Sequence, residues 1–496
     1  MDTLVSQAYG ARNFRFIGVV FQNALVVVSL AFIPIALAFW YTEPVLLLMK
    51  QDPHLAKMAG TYNRWLIPGV LPLLIYRAQT QYLQNQRILA PAMVAGAASV
   101  LLSIPLNWVL IFGLPELHLF GLHGLALHSR QLSVFGGWKG LGFIGAPIAG
   151  ALTWLSQPIF MWIYVTRTGA HRQSWHGCDL RAAFNLKNLA TFLELGIPAS
   201  FMLAMEVIGF ELATIFVGTF RDVVAIKAHA IGFNLTTIVF IIPIGLAIGS
   251  TTRVGNRLGE GDAQGAKFSA LVGALIIATI LFFIGLTLVA FRSIVPRMYS
   301  SSPHVLDFCK KLMPLIALLS FFDGMQTFNG ALMRSVGRPL SGSIVNFFGY
   351  YILAIPIGAG LAWGAKLHTV GVWIGLVCGL FGATVGYWIL IARLNWDEEA
   401  RLAKERVQDG TPTLPEDGHV PLGQPEYAHI DDTHGSLHIH LDSEHDDDQQ
   451  VELHSSGDLQ YQLESSSSSS TPSSISTSST PSADSPHPML PTVEHI

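Results

Sequence analysis

The chain has 496 residues, 51% of them apolar and only 12% charged, with a mean hydropathy of +0.46. Its net charge of −4 conceals a split: residues 1–395 hold 26 Lys/Arg against 13 Asp/Glu, and residues 396–496 hold 3 against 20. This excludes an ordinary soluble enzyme and a nucleic-acid binder, and describes a membrane body followed by a solvated acidic tail.

A spanning helix needs about 20 mostly apolar residues. Ten stretches qualify: roughly 14–40, 54–84, 89–113, 141–167, 189–220, 228–252, 266–292, 312–336, 338–364 and 370–393. Pro68, Pro72, Pro105, Pro243, Pro314 and Pro356 lie inside them. Membrane helices tolerate interior proline where neighbours re-satisfy the freed backbone groups. The Leu/His/Gly-rich loop around 114–138, with Trp138, reads as an external insertion near the headgroups. The tail from Trp396 opens with an acidic stretch able to form a short helix, then turns Ser-, Pro- and Asp-rich and is expected to be disordered. Its histidines, His429, His434, His438, His440 and His445, read as solvated rather than metal-binding, and the run Ser465–Ser470 as a phosphate acceptor. Cys178, Cys309 and Cys378 are too scattered for a disulfide framework or metal set. A slight excess of Lys/Arg places the loops near residues 12–15, 87, 167–187, 253–267, 334–338 and 393 in the cytoplasm, with both chain ends.

Two acids stand in apolar surroundings: Glu206 in 189–220 and Asp323 in 312–333. A charge at bilayer depth costs on the order of 2.5–3.5 kcal/mol on insertion scales, so such residues are rare and usually functional. A carboxyl kept there serves most often as a proton or cation site, which points to ion-coupled transport. Glu211, five residues on, lies about 140° further round a regular helix and cannot face the same way. Asn234, Tyr350, Tyr351 and Gln326 offer hydrogen bonds or an aromatic face to an organic cation, or equally bond between helices; Asn346 reads as interhelical. His229 reads as packed core. No Ser/His/Asp or His-rich constellation suggests an enzyme, and the glycines of 255–261 lack a phosphate-loop lysine.

A weak parallel repeat runs through the body. Ala90-Pro91 and Ser103-Ile104-Pro105-Leu106-Asn107 correspond to Arg338-Pro339 and Ala354-Ile355-Pro356-Ile357-Gly358, and Ser6-Gln7-Ala8-Tyr9-Gly10 to Gly255-Asn256-Arg257-Leu258-Gly259. Such duplications place the site between two related bundles.

The segment Asp2-Thr3-Leu4-Val5-Ser6-Gln7-Ala8-Tyr9-Gly10-Ala11 resembles the cytoplasmic signature after the second helix of eukaryotic multidrug and toxic compound extrusion (MATE) transporters. Arg253-Val254-Gly255-Asn256-Arg257-Leu258-Gly259-Glu260-Gly261 resembles its partner after the eighth. Trp65-Leu66-Ile67-Pro68-Gly69, Tyr82-Leu83-Gln84-Asn85-Gln86 and Val345-Asn346-Phe347-Phe348-Gly349-Tyr350-Tyr351 follow in matching order, so the resemblance covers 1–393.

The resemblance implies an all-α integral membrane protein of two pseudo-symmetric lobes, here with 4+6 spans instead of 6+6. The expected divisions are 1–167 (amino-terminal lobe), 168–188 (cytoplasmic linker), 189–395 (carboxy-terminal lobe) and 396–496 (tail). It implies an antiporter in the plasma or vacuolar membrane, acting as a monomer among lipids. It would export organic cations, polyaromatic drugs or secondary metabolites against protons, with Na⁺ the lesser expectation and no bound cofactor. The ion-coupling acids would be Glu206, Asp323 and Glu211. Where the family carries bulky aromatics after the first glutamate, this chain has Val207 and Ile208, which puts the pocket's shape in question. The family's first two helices have no counterpart, which leaves either an incomplete gene model or an inert or regulatory fragment. A lipid or lipid-linked sugar flippase is a further alternative, but the core offers acids rather than the arginines such a headgroup needs.

Overall fold

Within a bilayer a segment must pair its own backbone groups, and this chain does so with helices. The computed structural model describes residues 1–113, 140–175, 177, 179–409 and the strand residues 429–430, 437–438 and 452–453. The elements are α1 (Asp2–Gly10), α2 (Phe14–Trp40), α3 (Thr42–Leu48), α4 (Pro53–Gln84), α5 (Ala90–Phe112), α6 (Gly145–Thr168), α7 (Leu180–Ala183), α8 (Leu186–Thr219), α9 (Val223–Glu260), α10 (Ala263–Ala290), α11 (Pro303–Val336), α12 (Pro339–Phe347), α13 (Ile355–Ala359), α14 (His368–Ala392) and α15 (Trp396–Asp409).

The starts of the long helices are written in the sequence. Asn13, Asp52, Asn185, Asp222 and Asp262 each accept a backbone N–H from the first turn of α2, α4, α8, α9 and α10. Gly169, Gly261 and Gly337 close α6, α9 and α11 in the left-handed conformation. All ten expected spans are helical. Among the described residues eight are long and apolar enough to cross a membrane by length and composition. The other two, α4 and α11, are equally long but more polar. Helices α4, α5, α9 and α11 run on through their prolines. The span after Gly337 instead loosens twice, into π turns at Phe348–Ala354 and Gly360–Gly364 on either side of Pro356.

The body falls into two bundles. In the first, α4 packs on α2 and α6, and α6 on α5; in the second, α11 is central, touching α9, α10 and α14, while α8 meets α12. Residues between α6 and α8 bond to the first bundle. Gln22 Nε2 donates to Gly177 O (2.8 Å), Gln22 Oε1 accepts from Asp179 N (3.0 Å), and Tyr82 and Ser174 share a 2.5 Å hydroxyl contact.

The tail opens with the short helix its sequence allows: Trp396–Asp409 form α15 and pack on α1, α9 and α10, so the disorder expected of 396–496 does not extend to them. The physical cause is a stripe at Trp396, Ala400, Ala403 and Val407, all buried, on an otherwise charged helix. The compact unit therefore runs over Met1–Thr413. In the second unit, Leu414–Ile496, three two-residue strands are described: β1 (His429–Ile430), β2 (Leu437–His438) and β3 (Glu452–Leu453). They pair antiparallel in the order β1-β2-β3, with His429 opposite His438 and Leu437 opposite Leu453. The 114–138 loop, Cys178, the other tail histidines and the serine run lie outside the described residues.

Candidate functional site

The second bundle holds a polar cluster built from four elements. α8 carries the half-buried Glu206, α11 carries Asp323 and Gln326, α12 carries Asn346, and the first π turn carries Tyr350 and Tyr351. Gln326 Nε2 donates to Glu206 Oε2 (3.3 Å) and Asn346 Oδ1 (3.1 Å), while its Oε1 accepts from the Tyr350 hydroxyl (3.1 Å). Asn346 Nδ2 donates to Met202 O (2.9 Å), and the Tyr351 hydroxyl to Met205 O (3.4 Å). A further phenol, Tyr387 of α14, donates to Asn346 Oδ1 (2.8 Å) and Gly342 O (3.1 Å).

Asp323 is 3% exposed, and its Oδ1 has no hydrogen-bond partner among the described residues. It lies within the electrostatic reach of Glu206.

Small residues make this geometry possible. A Cβ on Gly209 would lie 2.6 Å from Tyr350 Cδ1, and one on Gly342 2.6 Å from Met202 Sδ. The π turn adds a residue to its helical turn, and both tyrosine hydroxyls meet α8 or its partner Gln326.

The sequence-predicted residues divide accordingly. Glu206, Asp323, Gln326, Tyr350 and Tyr351 are brought together, with Tyr350 buried and engaged in holding Gln326. Glu211 and Asn234 are exposed and outside the cluster. Gln326 and Asn346 do bond across helices. His229 is buried, and its Nε2 lies 3.1 Å from Thr214 Oγ1. Tyr387 was missed; a phenol in an apolar run was its one signal.

A seal joins the bundles on the side of α1. The segments matched by the repeat, Ser6–Gly10 and 255–259, lie against each other, since a Cβ on Gly10 would strike Asn256 O and one on Gly259 would strike Gln7 O. Gln7 Nε2 donates to Ser335 O (3.0 Å), Thr3 Oγ1 donates to Arg334 O, and Arg334 pairs with Asp2. The Asn256 amide donates to Ser6 O (2.8 Å) and accepts from Arg87 Nε (2.8 Å).

Two pseudo-symmetric helical bundles, joined at one end and with acids within the second, define a two-lobed membrane transporter. The chain belongs to the MatE family, whose model matches residues 1–109 and 198–359, more than half of it. It is 28% identical over 436 residues to multidrug and toxin extrusion protein 1 of Oryctolagus cuniculus, covering 88% of this chain and 72% of that protein. It is also 28% identical over 412 residues to Protein DETOXIFICATION 16 of Arabidopsis thaliana, covering 83% and 79%. Against multidrug and toxin extrusion protein 1 of Mus musculus it spans 66% of the relative's length. Among solved structures, the eukaryotic MATE transporter AtDTX14 superposes with a TM-score of 0.73 at 26% identity, covering 82% of this chain and 85% of that one.

Proposed function

We propose that the protein is a secondary antiporter that exports organic cations, drugs or secondary metabolites in exchange for protons, by alternating access. The observation that carries this is that Glu206 and Asp323 lie within electrostatic reach of one another in the second bundle, with an oxygen of the buried Asp323 left without a partner among the described residues. A carboxyl pair can take up a proton or a cation, and each neutralises the same charge, so the two ligands compete. That competition is the differential affinity coupling requires. On the side where protons are taken up, the acids lose charge and a bound cation departs. On the other side they release protons and bind the next cation. Gln326, held by Tyr350 and Asn346, keeps Glu206 oriented through both states.

With both termini in the cytoplasm, the seal formed by α1 and α9 closes the cytoplasmic side. The membrane is the plasma or vacuolar membrane and the working unit a monomer. The names of the relatives, extrusion and detoxification proteins, fit this reading.

The test is transport by the full chain reconstituted in liposomes, with tetraethylammonium as probe under an imposed pH gradient. Uptake driven by the proton gradient and lost in Glu206→Gln and Asp323→Asn is the expected result. Uptake driven equally by a Na⁺ gradient, or unaffected by both substitutions, overturns the proton assignment.

A further inference from the structure

In the second lobe, α10 and α14 both pack on α11 and leave a groove above it of about 1180 Å³. That exceeds the roughly 300–1,000 Å³ of pockets for drug-sized ligands. Its walls are apolar and open sideways: Phe268, Leu271 and Trp388 are 67%, 58% and 48% exposed. In a bilayer such a surface faces acyl chains, not water.

Five polar side chains break the apolar lining: Gln264, Lys267, Asn329, Asn395 and Asp397. At the rim on the α15 side stand Lys267, in the second turn of α10, and Asp397, at the start of α15. Both are exposed, and neither side chain forms an ion pair among the described residues. Deeper in the groove lies Asn329, 1% exposed, whose Nδ2 has no hydrogen-bond acceptor among the described residues. It stands seven residues before the end of α11, about 10 Å below the rim. A buried donor left unmade costs about 1–3 kcal/mol, so a donor kept in that state marks a place where an acceptor arrives.

We propose that this groove binds one phospholipid bearing a phosphate beside a primary ammonium, a phosphatidylethanolamine, from the leaflet on the α1–α15 side. The acyl chains lie along α10 and α11. Asn329 donates to an ester carbonyl, which lies below the headgroup as Asn329 lies below the rim. Lys267 pairs with the phosphate and Asp397 with the ammonium. A cation and an anion at one rim complement a zwitterion; they do not complement a lipid carrying only negative charge. The choline analogue keeps the charge but has no N–H to donate to Asp397. The site is independent of the transport reading above.

The experiment is native mass spectrometry of the full chain, delipidated in mild detergent and titrated with dioleoyl-phosphatidylethanolamine, -phosphatidylcholine and -phosphatidylglycerol. The ethanolamine lipid is expected to bind tightest. Lys267→Gln weakens it and the glycerol lipid by roughly tenfold, the loss of one charge-assisted contact. Asp397→Asn erases the preference for ethanolamine over glycerol. Asn329→Leu weakens all three lipids while leaving their order unchanged. Equal binding of the three lipids, or an ethanolamine preference that survives Asp397→Asn, overturns the proposal. Displacement of all three by tetraphenylphosphonium with no headgroup preference would reassign the groove to lipophilic cations.

Discussion

Arg334 Nε of α11 lies 3.4 Å from Asp2 Oδ2 of α1, so an ion pair spans the boundary between the lobes. The same arginine lies within electrostatic reach of Glu206 and Tyr387. A Cβ placed on Gly330 would stand 3.5 Å from the Tyr387 hydroxyl and 3.8 Å from Arg334 Nη1. The acid cluster and the seal therefore meet at one guanidinium.

Breaking that pair should loosen the seal. The two side chains are 17% and 33% exposed, between the surface and buried limits, so the loss is about 1–2 kcal/mol. Ser6 is 0% exposed within the seal and reports on it as Ser6→Cys in a background without Cys178, Cys309 and Cys378. Asp2→Asn is expected to raise its thiol-labelling rate roughly tenfold. Arg334→Gln should do the same, and the double variant should add little more. Unchanged labelling in both single variants would remove the pair from the seal.

Gly209 and Gly245 make a matched pair within spans. A Cβ on Gly209 meets Tyr350 at 2.6 Å, while a Cβ on Gly245 meets nothing within 4 Å. Gly209→Ala should push Tyr350 off Gln326, release Glu206 and cut transport at least tenfold. Gly245→Ala should leave transport intact and raise stability by about 0.5–1 kcal/mol, since alanine costs less backbone entropy in a helix. Transport assays and thermal unfolding of both variants check the pair. Equal transport by the two would deny Tyr350 its positioning role.

The Tyr387 hydroxyl supplies a donor to Asn346 Oδ1 that Gln326 alone would otherwise provide. Tyr387→Phe leaves the ring in place and removes this bond, at a cost of about 1 kcal/mol to stability. If the cluster works as a unit, its effect on proton-driven uptake should depend on Glu206. It should be several-fold in the wild-type background and absent in Glu206→Gln. A several-fold loss that persists in Glu206→Gln would mean a purely structural role.

The spans were legible because a bilayer demands long apolar runs, and nothing else in a soluble protein makes ten of them. Glu206 and Asp323 were legible because their type conflicts with their setting, and Gln326 and Asn346 for the same reason. What a helix faces was not. Glu211 and Asn234 carry the same signal as Glu206 yet stand exposed, because orientation is fixed by neighbours rather than by the run itself. The π turns were hidden because one inserted residue scarcely alters a uniformly apolar pattern. α15 was half hidden: its acids read as solvated, while the stripe Trp396, Ala400, Ala403 and Val407 was too short to outweigh them.

α15 makes the last prediction. Glu399 is 0% exposed, and its Oε1 lies 2.5 Å from Arg338 Nη2 at the turn between α11 and α12. Nearby, Arg406 Nη1 donates to Val336 O (3.2 Å). Along the same helix, Val407 joins the apolar cluster of Leu4 and Val5, and Ala403 joins that of Leu258. One short helix thus rests on both lobes at their joined end. Removing Arg338 strands a carboxylate in the protein interior, which costs about 3–5 kcal/mol for a fully buried pair. Arg338 is 46% exposed, so water relieves part of that and about 2–3 kcal/mol is expected. Arg338→Ala should therefore unfold several degrees below the wild type in detergent. Adding Glu399→Gln should recover much of the loss, because the stranded charge and not the missing bond dominates the cost. A double variant less stable than either single one would show that the pair contributes little and that packing of the Trp396–Val407 stripe alone holds α15 in place.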